Sequence, residues 1–204
     1  YGVSFSGDGT KIAFGCADNT LRAIDAATGQ QVLYQGAHSD WVLDTVFSKE
    51  NTYLISVSRD RSMKLVEVAT QRFVDNITSI TPGALKGGLA TVDRHPQKDE
   101  LLIGGADGVT KMYQMLRTQD RKIGDDYNLI KAYETTPGRI YDVDFNADGS
   151  RFVVASSLDG TGEVRLYETG NDKLLRKFEG QHGAVYCVSF NSAGNVVASA
   201  GFDG

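Results

Sequence analysis

The residues best suited to acid–base chemistry are the three histidines of this 204-residue chain. His38 and Asp60 could form a catalytic pair, because an imidazole oriented by a carboxylate is a common general base. The alternative is a hydrogen bond that fixes one loop onto a neighbouring turn. We favour this structural interpretation, since His38, His95 and His182 are far apart in the sequence and each has a ready structural role. His95 precedes a proline and is predicted to begin a turn.

A polar insertion, RTQDRKIGDDYN from Arg117 to Asn128, is the most individual stretch. Two adjacent aspartates within it could suggest a metal site. No third, spaced oxygen ligand or glycine-containing calcium loop accompanies them, so a solvated, mixed-charge surface loop is favoured. Loops of this kind often carry function on a rigid scaffold. The candidate residues of this insertion loop are Arg117, Arg121, Lys122, Asp125 and Asp126.

Motifs of enzymes and cofactor sites are missing from the sequence. It contains no nucleophile elbow, no phosphate loop, no His-Glu metal motif and no Cys-x-x-Cys-His haem motif. We therefore predict no catalytic residues, no bound metal and no cofactor, although active sites can assemble from distant loops. The two cysteines, Cys16 and Cys187, are predicted to be small buried hydrophobes rather than a disulfide or metal pair.

The net charge and hydropathy of the chain argue against some classes of binding partner. A net charge of −5 argues against a general surface for nucleic acid or anionic membranes, while a local basic patch stays open. No apolar run approaches the ~20 residues of a membrane span, and no signal peptide is recognised. The compartment, cytoplasmic or periplasmic, is left undecided.

The elements that position these residues are short strands ended by turns. Residues 140–180 contain four apolar segments, around Val143, Val154, Leu166 and Leu175, separated by Gly- or Asp-containing turns. A turn aspartate recurs along the chain about every 42 to 52 residues. These aspartates are Asp18, Asp60, Asp107, Asp159 and Asp203.

Four strands per repeat at this period predict an all-β fold, a β-propeller of four-stranded antiparallel blades. The predicted repeats are about 1–36, 37–78, 79–134, 135–180 and 181–204, which makes four complete blades and a truncated fifth. Because both ends fall inside a repeat, we expect an incomplete propeller segment with unpaired edges, to which the remaining blades of a longer parent protein would add.

The last repeat, GQHGAVYCVSFNSAGNVVASAGFDG, resembles the opening of a WD repeat. The name-giving Trp-Asp pair is replaced, for example by Val66-Glu67 and Tyr167-Glu168. In that family a Trp, a Ser or Thr, a His and the turn Asp can form a hydrogen-bonded tetrad. The second and fifth repeats supply three of the four members, without the Trp; these are His38, Ser56 and Asp60, and His182, Ser199 and Asp203.

The resemblance implies a non-catalytic scaffold that presents loops on the top face and rim of the propeller to protein partners. The implied contacts lie just before the first core residue of an inner strand and just before the turn Asp. They are Trp41, Arg59, Arg139, Leu158 and Phe202. Trp41, the only tryptophan, could instead pack under a neighbouring loop. No nucleic acid partner and no membrane span are expected.

A second hypothesis places the propeller in a redox or hydrolytic enzyme. Several phrases, ELLIGGADG among them, also resemble segments of bacterial proteins that join WD repeats to a cytochrome c domain. Residues 25–30 resemble a repeat of quinone-linked dehydrogenases, but an ordinary turn is favoured. Two local irregularities are also predicted: Arg94 should weaken pairing at the end of its strand, and Thr161-Gly162 should bulge a turn.

Overall fold

The structure is a computed structural model that describes residues 1–81, 85–120 and 124–204. These residues form eighteen β-strands and no helix. The first two sheets contain β1 (Val3–Phe5), β2 (Lys11–Gly15), β3 (Leu21–Asp25) and β4 (Gln31–Gln35), then β5 (Val42–Phe47), β6 (Tyr53–Ser58), β7 (Met63–Glu67) and β8 (Phe73–Asn76). The next two contain β9 (Leu89–Arg94), β10 (Glu100–Gly105), β11 (Lys111–Gln114) and β12 (Leu129–Ala132), then β13 (Arg139–Phe145), β14 (Arg151–Leu158), β15 (Thr161–Glu168) and β16 (Leu174–Phe178). A last pair is β17 (Val185–Phe190) and β18 (Val197–Gly201).

Each sheet is an antiparallel meander in chain order, and we call the five sheets blades one to five. Blades one to four have four strands, and blade five has two. The inner strands β1, β5, β9, β13 and β17 lie beside one another in succession. The blades are therefore arranged around a shared axis, and the predicted fold class, a β-propeller of about five blades, is confirmed.

The hydrophobic core lies between successive blades. One cluster joins blades one and two through Leu21, Leu33 and Leu54, and another joins blades two and three through Ile55 and Leu101. Similar clusters join blades three and four, and blades four and five. Each blade thus buries both faces only where a neighbour covers them. Val3 and Phe5, on the inner strand of blade one, are exposed, and the expectation that further blades cover them stays a prediction.

The turn between the second and third strands of each blade repeats the same chemistry. In blades one to three its aspartate accepts a hydrogen bond from the N–H two residues later, as Asp60 does from Ser62 over 2.9 Å and Asp107 from Val109 over 3.1 Å. The residue after the aspartate has positive φ in all five blades. These residues are Asn19, Arg61, Gly108, Gly160 and Gly204. This shared geometry explains the spacing of the aspartates in the sequence.

A β-bulge interrupts the inner strand of blades two to five. Pairing with the second strand skips one residue near the start of each inner strand, at Leu43, Ala90, Tyr141 and Tyr186. A bulge re-aims the side chain of the extra residue and bends the strand. The side chains of the bulged residues therefore do not follow the regular alternation between the two faces of the sheet.

Several local predictions were wrong. Arg94 does not weaken its strand: it pairs with Leu101, and its Nε donates to the carbonyl of Phe47 over 3.1 Å. Thr161 and Gly162 do not bulge the turn, because they extend the β14–β15 hairpin by pairing with Leu158 and Ser157.

The two cysteines are also less buried than predicted. Both are free thiols; Cys16 is partly exposed and Cys187 is exposed. Cys187 lies on β17, the inner strand of blade five, and its thiol bonds to Asp142 of blade four.

Residues 25–30 form the ordinary turn that was favoured, with Thr28 Oγ1 donating to Asp25 over 2.8 Å and Gly29 at a φ of 71°. His95 is a buried turn residue whose ring lies 5.2 Å from that of Phe145. Gly149 packs so closely against the His95 ring that an added Cβ would lie 2.3 Å from it. Within the described residues, no helix is long and apolar enough to cross a membrane.

Candidate functional site

A groove of about 670 Å³ opens at the end of the molecule where the inner strands begin. We call it the aromatic groove. Three of the predicted contact residues line it together with bulged inner-strand residues, and its lining consists of Tyr1, Trp41, Leu43, Arg59, Ala90, Arg139 and Tyr141. Its volume falls in the range of about 300–1,000 Å³ that is usual for ligand sites. The groove is thus built from loops and strand ends of four blades.

Trp41 is the centre of one wall. It is 39% exposed, which favours the surface interpretation over packing beneath a loop. The ring of Tyr1 stacks on it at 5.4 Å between centroids, and the Arg59 guanidinium lies 4.6 Å from its centroid. Asp40 holds this wall in place, since it accepts the Trp41 N–H over 2.7 Å and lies 3.5 Å from Arg59 Nε. A cation over an indole face strengthens such a contact by about 0.5–2 kcal/mol.

Arg139 stands in the other wall. Its guanidinium carbon lies 5.5 Å from the centroid of the Tyr141 ring, and Tyr141 meets Tyr186 edge-on at 5.2 Å. Arg139 Nε is buried and has no hydrogen-bond partner in the described part of the chain. A buried N–H without a partner costs about 1–3 kcal/mol, and no protein group in the described residues pairs with the rest of this guanidinium either.

Leu158 and Phe202, also predicted as contacts, do not line the aromatic groove. They occupy the same turn position as Arg59 in blades four and five and are 48% and 78% exposed. Leu158 packs against Gly138, and Phe202 lies beside Gly183. The turn position therefore places a side chain in the groove in blade two only.

Sequence reasoning missed the bulged residues. Leu43 and Tyr141 each lie two residues after the positions from which Trp41 and Arg139 were chosen, and Tyr1 and Ala90 are their equivalents in blades one and three. If side chains alternated regularly along the inner strands, these residues would be assigned to a face of the sheet and not to the groove. The signal that could have found them is the recurrence of Tyr at this position in three of five repeats, as Tyr1, Tyr141 and Tyr186.

Below the groove, aspartates join the inner strands. Asp44 accepts the N–H of Val92 over 3.0 Å, and Asp93 accepts that of Phe145 over 2.8 Å. Asp142 and Asp144 bond in the same way to blade five, over 2.9 and 2.6 Å. Desolvation raises the pKa of Asp44 to about 6 and that of Asp93 to about 7, and it also raises the pKa of Asp142 and of Asp144. These carboxylates serve as inter-blade ties.

His38 is buried in a hydrogen-bond network inside blade two. Its Nδ1 lies 2.9 Å from Asp60 Oδ2, and its Nε2 lies 2.8 Å from Ser56 Oγ. Burial acts to raise the pKa of Asp60, but hydrogen bonds from His38, Ser62 and the Ser39 N–H outweigh it and lower that pKa well below its usual value. Both ring nitrogens of His38 are thus engaged by side chains of the same blade, which is the structural role expected of the pair.

The network does not form in blade five. The His182 ring is exposed, and only its backbone N–H reaches Asp203, over 2.9 Å. Ser199 instead accepts a hydrogen bond from Gln181 Nε2 over 3.3 Å. Within the described residues, His182, Ser199 and Asp203 therefore do not form the network that His38, Ser56 and Asp60 form in blade two.

The insertion loop is tied down where a solvated loop was expected. Asp126 accepts the Ser79 N–H over 2.9 Å and the Tyr113 hydroxyl over 2.6 Å. Arg117 Nε lies 3.4 Å from Asp75, and Asp125 is exposed. Arg121 and Lys122 lie outside the described residues. Asp126 thus fastens the loop to the segment after β8, a role the sequence did not suggest.

Among residues 1–81, 85–120 and 124–204, no group of three or more His, Cys, Asp or Glu side chains has a geometry that could hold a metal ion.

Comparison with known proteins identifies the family. The profile described as "WD domain, G-beta repeat" matches residues 29–67, 128–163 and 172–204, which together exceed half of the chain. The chain belongs to the WD40 repeat family. Its blades are therefore WD40 repeats in which the tryptophan–aspartate pair has been replaced. Proteins of the WD40 family generally act without catalysis.

Curated relatives of this WD40 chain are eukaryotic. It is similar to the serine-threonine kinase receptor-associated protein of Gallus gallus, at 20% identity over 233 residues, covering 100% of this chain and 64% of the relative. It is also similar to eukaryotic translation initiation factor 3 subunit I of Eremothecium gossypii, at 25% identity over 186 residues, covering 89% of this chain and 51% of the relative. The chain spans about half to two thirds of the length of these relatives. The expected bacterial parent with a cytochrome c domain gains no support from them.

Proposed function

We propose that this WD40 chain is a non-catalytic protein-interaction module whose binding surface is the aromatic groove. The observation that carries the proposal is the convergence of Trp41, Arg59 and Arg139 in one open groove. Trp, Tyr and Arg dominate the energetic centres of protein interfaces, because they combine a large buried area with polar groups. A rigid propeller presents such residues without a large cost of ordering them.

The relatives support the class of function. One is named as associated with a serine-threonine kinase receptor, and the other as a subunit of a translation initiation factor. Both names describe proteins that work by association. We carry over only this shared property, binding to other proteins, and assign neither the receptor nor the initiation factor as a partner. No observation in the described residues favours the redox or hydrolytic alternative.

A comparative pull-down tests the proposal. The 204-residue chain and its Trp41→Ala variant are used as bait in a eukaryotic cell extract, with Ile130→Ala as the matched control. Ile130 is an exposed apolar residue of the outer strand β12, remote from the groove. Proteins retained by wild type and Ile130→Ala but reduced about tenfold or more by Trp41→Ala support the groove as the binding surface.

Each protein so found is then purified, and its affinity is measured by calorimetry. An unchanged melting temperature in Trp41→Ala shows that the loss is one of contact. Equal retention by all three baits would contradict the groove as the site, and a collapse of the melting temperature would place Trp41 in the core.

A further inference from the structure

We propose that the aromatic groove recognises an acidic peptide segment, in which a Glu or Asp side chain pairs with Arg139 and an adjacent apolar side chain packs against Trp41. This inference rests on the proposed function and names the chemical class of its partner. The groove supplies both halves of the recognition, a cation with a free donor and an apolar wall.

Several arginines of this chain form ion pairs with carboxylates, but Arg139 does not. Ion pairs hold Arg22 to Asp18 and Arg165 to Glu163. Arg139 has no carboxylate within 4 Å in the described residues, and its buried Nε has no acceptor. A guanidinium presents donors in a planar fork that matches the two oxygens of a carboxylate. The terminal N–H groups of the Arg139 guanidinium, which have no protein acceptor in the described residues, would pair with an incoming Glu or Asp.

The charges around the groove leave Arg139 available. Asp40 is already occupied by the Trp41 N–H and by Arg59. Asp44 and Asp142 follow the lining residues Leu43 and Tyr141, but their oxygens accept N–H groups of the inner strands. The lining itself contains two arginines and no carboxylate, in a chain whose net charge is −5. The groove is thus a local positive site on an acidic protein.

The apolar part of the groove fits a side chain beside the carboxylate. Trp41, Leu43 and Tyr141 line it, and Tyr141 is held edge-on by Tyr186. A volume of about 670 Å³ holds a few side chains of a peptide. Phosphate recognition generally recruits several cations, and here Arg59 is already paired with Asp40, so a single carboxylate fits the free Arg139 better.

A random-peptide display selection on the 204-residue chain tests the inference. Peptides are counted only if Trp41→Ala loses them, which restricts the selection to the groove. The expected result is enrichment of Glu or Asp next to Leu or an aromatic residue. Synthetic versions of the enriched peptides should bind about tenfold more tightly than versions with Gln in place of Glu, a preference that weakens as salt screens the charges.

Two arginine variants sharpen the test. Arg139→Gln should abolish the preference for Glu over Gln, whereas Arg176→Gln, at an exposed position on the outer strand β16, should leave it unchanged. Groove-dependent peptides without acidic enrichment, or an undiminished preference in Arg139→Gln, would overturn the acidic partner and leave the proposed function standing. If no peptide depends on Trp41, the groove is not a peptide site and both proposals fail.

Discussion

Blades two and five carry the same His, Ser and Asp at corresponding positions, yet only blade two uses them. In blade two His38 is buried and bonded to both Asp60 and Ser56. In blade five the His182 ring is exposed. The blade-two network also includes Ser62, just before β7, whose hydroxyl lies 3.2 Å from His38 Nδ1. The same motif residues therefore form a polar network only where further contacts bury the imidazole.

Blades two and five differ at two further positions that bear on stability. Blade two has Asp44 where blade five has Cys187, and Arg61 where blade five has Gly204. Blade two ties itself to blade three through Asp44. Blade five is tied to blade four by the aspartates of β13, which accept its backbone N–H groups and also bond to the side chains of Cys187 and Ser189. Blade two thus supplies a carboxyl group to the next blade, whereas blade five supplies hydrogen-bond donors to the preceding one.

The largest expected effect is on the histidines. His38→Ala should lower the free energy of unfolding by about 3 kcal/mol, because Ser56 and the half-buried Asp60 each lose a hydrogen-bond partner. His182→Ala should lower it by less than about 0.5 kcal/mol, since the exposed ring has no such role and the backbone N–H bond to Asp203 remains. Urea denaturation of both variants, followed by tryptophan fluorescence, measures the two values. Similar losses in both would show that the two motifs are equivalent after all.

The sequence predicted the repeated parts of this molecule better than its individual ones. Turn aspartates and alternating strands follow from local chemistry, so the fold could be derived from their spacing. The bulges at Leu43 and Tyr141 were not predicted, because the alternation of apolar and polar residues does not reveal a one-residue shift in register and the recurring Tyr at this position was not used. The anchor at Asp126 depends on Ser79, 47 residues away in the chain, and only the tertiary structure brings the two together.

In the candidate site, too, the residues that follow the repeat could be predicted, whereas the contacts that depend on tertiary structure could not. Trp41 and Arg139 were found because they precede a core residue in a repeated pattern. The availability of Arg139 depends on which carboxylates are already occupied, and that is a property of the folded network. Conversely, Phe202 satisfied the same positional rule as Arg59, and yet it lies outside the groove.

Asp44 and its counterpart Cys187 should differ in how they make stability depend on pH. The groups facing Asp44 are the N–H of Thr45 and of Val92, the Thr91 hydroxyl and the Asp142 carboxyl. Desolvation raises the folded-state pKa of Asp44 to about 6 from a usual value of 3.8, so the folded protein binds this proton more tightly than the unfolded chain does. Its contribution to stability is therefore fully present below about pH 4 and is lost as the pH rises through about 6.

Asp44→Asn removes this titration and keeps an oxygen that can accept the Val92 N–H. Relative to wild type, the variant should gain about 2 kcal/mol in unfolding free energy between about pH 4 and about pH 7. Cys187→Ser should show no such change, because desolvation raises the pKa of the Cys187 thiol to about 11 and it stays neutral throughout. Urea titrations across this pH range provide the measurement. A wild-type curve parallel to that of Asp44→Asn would mean that Asp44 does not titrate there.

The smallest expected effect is at Arg61, the residue that follows the turn aspartate of blade two. Its φ is 72°, in the left-handed region that glycine occupies at the same position in blades three, four and five. A residue with a Cβ loses about 1 kcal/mol or more in this conformation. Arg61→Gly should therefore raise the free energy of unfolding by about 0.5 kcal/mol, after the greater flexibility of glycine in the unfolded chain is deducted.

The reciprocal change in blade four isolates the backbone term. Gly160 has a φ of 82°, and an added Cβ would meet nothing within 4 Å, so Gly160→Ala imposes the left-handed conformation on a side chain without a steric clash. It should destabilise the protein by about 1 kcal/mol. Opposite signs for the two variants in thermal and urea unfolding would attribute the effect to φ alone. If Arg61→Gly destabilises as well, the Arg61 side chain contributes contacts that outweigh its backbone strain, and blade two then holds its strained turn through that side chain.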